Sequence, residues 1–173
     1  KAKLVTTTNV FAHTGELREF IMGLKTILSN NGTFIVENHY LKDIVEKVQF
    51  DSFYHEHLRT YSLKSLIILM KYYKLNIRDA YTTERYNGNI QAHFCKDKAV
   101  KISKNVNIIL LKEKKSKLDE IITYKNFAKK IEKAKNDLHN FIIKKPNLKI
   151  IGKAYPARAS VILNYFSFLK QRV

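Results

Sequence analysis

Residues 4–37 read LVTTTNVFAHTGELREFIMGLKTILSNNGTFIVE, and this stretch decides the fold. Leu4 to Thr8 is a short β-rich run that closes on the polar Asn9. Thr14 then stands where a helix cap is expected, ahead of apolar residues at Leu17, Phe20, Ile21, Leu24 and Leu28, a spacing that keeps them on one helical face. Asn31-Gly32 is a breaker pair, and Thr33 to Val36 reads as a buried strand ending at Glu37. Strand, helix, turn, strand is a βαβ unit, so the two strands are expected to be parallel. Ligands of open parallel sheets sit beyond the carboxyl ends of the strands. Asn9-Val10-Phe11-Ala12-His13 and Glu37-Asn38-His39-Tyr40 should therefore converge on one site.

Further along, Leu41 to Val48 suits a short helix, and Ser62 can cap another that carries Leu63, Leu66, Ile67 and Met70 on one face. Between them lies Gln49-Phe50-Asp51-Ser52-Phe53-Tyr54-His55-Glu56-His57, dense in aromatic and titratable groups. Asn76 to Glu84 and Ile90 to Lys96 read as strands joined by a hairpin at Tyr86-Asn87-Gly88-Asn89. A last parallel strand and an antiparallel closing strand would complete the sheet. Residues 98–145 lack Gly and Pro, are rich in Lys, and place Phe127, Ile131, Ala134, Leu138, Phe141 and Ile142 at helical spacing, which predicts one or two long amphipathic helices. Pro146 ends them. Leu148 to Ile151 is then expected as a strand, Gly152 to Pro156 as a turn and Ala157 to Leu169 as a helix, together the opening of a further βα unit.

The bulk composition narrows the function. The chain has 173 residues, 45% of them hydrophobic, and no apolar run approaches the roughly 18 residues of a membrane span. A single cysteine, Cys95, excludes an intramolecular disulfide framework and a cysteine-rich zinc site within these residues. It also fits a reducing, cytoplasmic setting. The net charge of +17 would favour polyanions. Most of the basic residues are Lys, however, spread along the chain among abundant Asn and Ile, as an A+T-rich coding sequence would produce. Nucleic acid is therefore not the expected partner. The chain opens on Lys1 directly into a strand, which is expected of a truncated protein.

Several motifs occur in order: Thr8-Asn9-Val10-Phe11-Ala12-His13, Glu37-Asn38-His39-Tyr40-Leu41, Gln49-Phe50-Asp51, Tyr54-His55-Glu56-His57, Tyr61-Ser62-Leu63, Asn87-Gly88-Asn89 and Gly152-Lys153-Ala154-Tyr155-Pro156-Ala157-Arg158. Together they resemble the C-methyltransferases that act on nucleotide-linked keto-deoxysugars. The stretch FDSFYHEHLRTYSL at 50–63 is the most specific part, since the family pattern there is close to F-D-x-x-Y-H-E-H-x-x-Y-Y-S. The resemblance implies the C-terminal half of a doubly wound, Rossmann-like α/β methyltransferase sheet over 1–97. A Lys-rich helical segment follows over 98–146, and a second Rossmann-like βα domain begins over 147–173. It also implies a zinc module and the Gly-rich turn beneath the cofactor upstream of these residues. Within them no metal is expected.

The implied cofactor is S-adenosylmethionine and the implied partner a nucleotide-linked keto-sugar. Carbon becomes nucleophilic once a base removes a proton beside a ketone, and the enolate then attacks the sulfonium methyl. By resemblance His57 is the base, with Tyr54, Glu56 and His13 around the sugar. Tyr54 would donate to the keto or enolate oxygen. Glu56 would either orient an imidazole or bind a sugar hydroxyl. Asn9 and Val10 would line the cofactor cleft. Tyr40, Asn89 and Arg158 would contact substrate, Arg158 beside the diphosphate. His55, two residues from His57, should point away from it and be structural. A metal site from His39, His55 and His57 is the competing reading of the cluster. The family's usual G-G-S-x-R is Asn87-Gly88-Asn89-Ile90-Gln91 here, so its Arg is lost, and Lys153 and Tyr155 replace smaller residues. Two alternatives stand beside the enzyme: a truncated inactive homologue, and a basic nucleic-acid-binding module built on the Lys-rich helices.

Overall fold

The computed structural model describes residues 1–152, 154 and 156–171. Strand β1 (Ala2–Thr8) leads through helix α1 (Leu17–Ile27) to β2 (Leu28–His39), and β1 and β2 pair in parallel as the βαβ pattern predicts. Helices α2 (Leu41–Glu46) and α3 (Leu63–Tyr72) come next, then β3 (Asn76–Thr83) and β4 (Asn89–Cys95). The sheet order is β1-β2-β4-β3, with β4 antiparallel to both its neighbours. β3 therefore runs parallel to β1 and β2, and β4 is the antiparallel strand inserted between. Helices α4 (Lys104–Lys115), α5 (Ile121–Ile143) and α6 (Ala157–Tyr165) follow.

Two side-chain faces follow from the pairing register. Phe34 opposes Phe94, Val36 opposes Ala92 and Asn38 opposes Ile90, all on one face. That face buries Phe34, Val36, Ile90, Ala92 and Phe94 against Ile21 and Leu24 of α1, Leu63, Leu66 and Met70 of α3, and Val106 and Ile109 of α4. The core is thus a mixed α/β layer. The 97/98 boundary falls inside it, because α4 is packed on the sheet. The other face carries Ile35, Glu37, His39, Asn89, Gln91 and His93, a mostly polar set. α5 belongs to separate contacts: Phe127 packs with Ile44 and Val45 of α2, and Ile142 with Phe166 and Leu169.

Three local expectations are corrected. Thr14 does not cap α1; its hydroxyl donates to the Val10 carbonyl at 2.9 Å, closing the preceding turn, and α1 starts after Glu16 without a side-chain cap. Asn31-Gly32 does not separate helix from strand. β2 already begins at Leu28 and bulges there: Ala2 pairs with Leu28, while Leu4 pairs with Thr33. Gly32 serves a close approach, since a Cβ on it would lie 2.9 Å from the Ala2 carbonyl oxygen. Leu148 to Ile151 is irregular rather than a strand, and Leu148 and Ile151 are exposed. The Leu148 amide instead donates to the Lys145 carbonyl at 3.0 Å, continuing the turn that ends α5. Lys153 and Tyr155 lie outside the described residues.

The α3 cap is as expected. Ser62 accepts from the Ser65 amide and Ser65 returns the bond, a capping box. The buried Glu113 of α4 adds to it by accepting from the Leu63 amide at 2.6 Å and the Lys64 amide at 3.1 Å. The β3–β4 turn is also specified by its residues. Tyr86 and Asn87 take positive φ of 51° and 64°, and Gly88 takes +133°. A Cβ at Gly88 would sit 2.1 Å from Asp43 Oδ2 and 2.6 Å from Asp43 Cβ. Gly88→Ala therefore combines backbone strain of about 1–3 kcal/mol with a clash against α2. Its urea midpoint should fall accordingly, whereas Ala at the unobstructed Gly23 should leave the midpoint unchanged or higher.

Candidate functional site

Two loops meet at the carboxyl end of β1 and β2. Asn9 takes a left-handed conformation, φ 53°, and its amide donates to the Glu37 carbonyl at 2.8 Å, so the chain turns across the strand ends immediately after β1. Val10 to His13 then forms a turn closed by the His13 amide on the Val10 carbonyl. The Tyr54–His57 segment is likewise a turn, closed by the His57 amide on the Tyr54 carbonyl. The two turns are joined where the Leu58 amide donates to the Ala12 carbonyl at 2.9 Å, and the Arg59 guanidinium donates to the Thr14 carbonyl. Phe11, with no exposed surface, anchors the first loop in the core.

The result is a cavity of about 210 Å³ lined by Asn9, Ala12, His13, His39, Tyr54, His57, Tyr86 and Arg158. His57 is at its centre. Its ring centroid lies 4.8 Å from that of His13, 5.9 Å from that of His39 and 4.3 Å from that of Tyr54. His57 Nδ1 lies 2.7 Å from the Ser52 carbonyl oxygen. A carbonyl can only accept, so Nδ1 carries the proton in that bond. In the neutral ring Nε2 then holds the free lone pair. Burial lowers the His57 pKa from 6.5, and the charges of His13 and Arg158 act in the same direction, while the Ser52 bond opposes them. His39 is also lowered, by burial first and then by Arg158 and His57. The Tyr54 hydroxyl is raised, by burial first and then by the nearby Glu56 carboxylate. At neutral pH the cavity therefore presents the uncharged imidazoles of His39 and His57 and the protonated phenol of Tyr54, beside the Arg158 guanidinium.

The predicted residues are distributed unevenly. His13, Tyr54, His57, Asn9 and Arg158 line the cavity. Glu56 does not; it stands at the rim with its side chain 53% exposed, 4.0 Å from His55. His55 is 77% exposed and absent from the cavity lining, and its segment is a turn rather than the extended loop expected. Val10 is exposed beside the cavity and absent from its lining. Tyr40 is placed in the core, 1% exposed and bridged to Tyr61, because β2 turns its side chain inward before α2 begins. Asn89 is fully buried beneath the cavity. Its amide donates to Glu37 Oε1 at 2.9 Å and lies 3.5 Å from Asn9 Oδ1, so it braces the wall rather than forming it. The triad weighed for a metal does not assemble, since His55 faces out and His13 takes its place beside His57. Among the described residues no group of three or more His, Cys, Asp or Glu side chains is placed to hold a metal ion.

The lost Arg of the hairpin has a structural answer. Gln91 Nε2, at that position, donates to Glu37 Oε2 at 3.1 Å, and Arg85 Nη1 stands 3.8 Å from Glu37 Oε1. The carboxylate is thus bonded by two neutral amides, and its counter-charge comes from the turn. Tyr86 and Asp51 were not singled out in the sequence. Tyr86 lines the cavity with its ring 5.9 Å from His39. The Tyr86-Asn87-Gly88 turn signal marked its backbone but not its side chain.

Three half-buried histidines, His39, His57 and His93, have pKa values below 6.5 with desolvation as the first cause. Between each folded value and 6.5 the unfolded chain binds more protons, so stability rises with pH there. Their contribution is complete above about pH 6.5 and is lost as pH falls below it. The urea midpoint should drop between about pH 7 and pH 5.5 and should be flat from about 7 to 8; a flat profile across the acid side would contradict this.

Residues 85–173, just over half of the chain, match the family model for the C-methyltransferase C-terminal domain. The chain belongs to this C-methyltransferase family. Across 167 residues it is 27% identical to the C-methyltransferase NovU of Streptomyces niveus, a match covering 94% of this chain and 39% of that protein. The chain thus spans about two fifths of that relative's length. No helix among the described residues is long and apolar enough to cross a membrane.

Proposed function

We propose that this chain forms the substrate-facing part of a C-methyltransferase that moves a methyl group from S-adenosylmethionine to a carbon beside the ketone of a nucleotide-linked deoxysugar. The observation that carries the reading is His57: a partly buried imidazole whose Nδ1 is held by the Ser52 carbonyl and whose Nε2 is left as a base within a cavity. Family membership supports methyl transfer to carbon in general. The sheet order, with three mutually parallel strands and one antiparallel insertion, is compatible with the later half of a Rossmann-like methyltransferase sheet.

The residues divide the work as follows. His57 takes the proton from the carbon next to the ketone, and the lowered pKa keeps it unprotonated at neutral pH. Tyr54, protonated and 4.3 Å from His57 between ring centroids, donates a hydrogen bond to the oxygen on which the enolate charge gathers. His13, its ring centroid 4.8 Å from that of His57, receives a sugar hydroxyl. Arg158 meets the diphosphate. The methyl donor, when bound, supplies an electrophilic methyl on a sulfonium. At about 210 Å³ the cavity is below the roughly 300–1,000 Å³ usual for a whole ligand, so it suits only the reacting ends. In this reading Asn9, in the cavity wall, and the exposed Val10 beside it meet the donor from the β1 side. The setting expected is cytoplasmic. The reading is tested by incubating the protein with labelled S-adenosylmethionine and a nucleotide-linked keto-deoxysugar. Label on a carbon adjacent to the ketone is the expected product, and label on oxygen or none at all would refute it.

A further inference from the structure

Phe50-Asp51-Ser52 is a single turn of 3-10 helix, and each of its residues holds a different part of the molecule. The Phe50 ring packs on Phe166 at 5.5 Å and Tyr165 at 5.8 Å, at the end of α6. Asp51 takes the guanidinium of Arg158 at the start of α6. The Ser52 carbonyl fixes His57. The base and the C-terminal helix are therefore mounted on consecutive residues.

The Arg158–Asp51 pair is side-on. Nε donates to Oδ2 and Nη2 to Oδ1, both at 2.9 Å. This consumes one edge of the guanidinium and leaves Nη1 without a partner among the described residues, while Arg158 itself lines the His57 cavity. A two-bond carboxylate pair fixes the plane of an Arg that would otherwise sample many rotamers. The pair is only partly exposed, with side chains 31% and 22% accessible, so it is less screened than a surface contact.

We propose that Asp51 is a positioning residue for anion binding: it holds Arg158 side-on so that Nη1 is offered to a phosphate oxygen of the substrate, in register with the base fixed by the neighbouring Ser52. This rests on the reading of the cavity as a site for a nucleotide-linked sugar. It makes a prediction opposite to simple electrostatics. Asp51 is a negative charge next to the anion, so a residue that merely sat nearby would weaken binding, and its removal would tighten it.

The test is calorimetric titration of the protein with inorganic pyrophosphate at low salt. Binding should weaken at least tenfold in Arg158→Ala and also in Asp51→Asn, and Asp51→Glu should recover part of it. The exchanged pair, Asp51→Arg with Arg158→Asp, should keep α6 docked, seen as unchanged amide-exchange protection over 157–165, yet not restore affinity. Unchanged or tighter binding in Asp51→Asn, or wild-type affinity in the exchanged pair, would overturn the proposal, as would absence of Arg158-dependent binding in the unsubstituted protein. Pyrophosphate binding needs neither methyl donor nor ketone. A protein that binds it as described but transfers no methyl group would therefore sink the functional reading and leave this one standing.

Discussion

His57→Gln is expected to lower methyl transfer by about 10²–10⁴-fold, the range that a positioned general base supplies. Gln at this position keeps a donor for the Ser52 carbonyl but has no lone pair able to accept a proton at neutral pH. The loss should fall on kcat, because the base acts on the bound sugar and Arg158 still meets its phosphate. The unsubstituted protein should show a rising limb in kcat/KM whose pKa is below 6.5, since burial and the His13 and Arg158 charges all favour the neutral ring. Above that limb the base is already unprotonated and the rate should level off. His13→Gln removes one of the depressing charges and should move the limb upward while leaving the reaction in place. Steady-state rates across about pH 5 to 8.5 for the three proteins check both statements. A His57→Gln enzyme within threefold of the parent would exclude His57 as the base.

Phe11→Ala should cost about 3–5 kcal/mol of stability, the usual range for a buried aromatic cut back to a methyl. Phe11 has no exposed surface, and its ring stacks edge-on to Phe20 at 5.4 Å and lies 5.8 Å from Phe34 and 6.1 Å from Tyr61. It thereby ties α1, β2 and the approach to α3 together. Phe11 also lies between Asn9 and His13 on the loop that forms one wall of the cavity. Its removal should loosen the contact between the Ala12 carbonyl and the Leu58 amide as well as lowering the midpoint of urea unfolding. Phe11→Leu refills most of the volume and should recover more than half of the loss. If Phe11→Ala unfolded at the same denaturant concentration as the parent, the core as described would be wrong.

What the sequence made legible follows from how local each signal is. The βαβ unit was readable because β1, α1 and β2 are contiguous and each carries its own period. The β3–β4 hairpin was readable from Asn87-Gly88, and the α3 cap from Ser62 alone. The α1 start was not, because the Thr14 hydroxyl donates back to the Val10 carbonyl instead of accepting from the first helix amides. The segment 148–151 is irregular for a different reason: its first amide, that of Leu148, is taken by the Lys145 carbonyl in the turn after α5. The placement of β4 between β2 and β3 needs long-range pairing that no single segment encodes.

The candidate site divides along the same line. Tyr54 and His57 could be picked out from one motif, and His13 from the end of β1, but that the three rings meet depends on two loops folding over each other. Tyr40 and Glu56 belong to the same motifs, yet one is turned into the core by β2 and the other out to the rim by the Tyr54–His57 turn. The Asp51–Arg158 pair joins residues 107 positions apart, and nothing in the local sequence of either announces the other. Tyr86 reaches the cavity only because its backbone takes a positive φ, a conformation that an aromatic residue rarely adopts.

The central claim is that His57 removes a proton from the carbon beside the ketone. The most direct measurement is hydrogen exchange at that carbon, followed by mass spectrometry in deuterium oxide. The protein would be mixed with a nucleotide-linked keto-deoxysugar and S-adenosylhomocysteine, so that no methyl transfer can follow. Deuterium should enter at one carbon next to the ketone with the unsubstituted protein and at the background rate with His57→Gln. Equal exchange in both, or none in a protein that does methylate the sugar, would contradict the account.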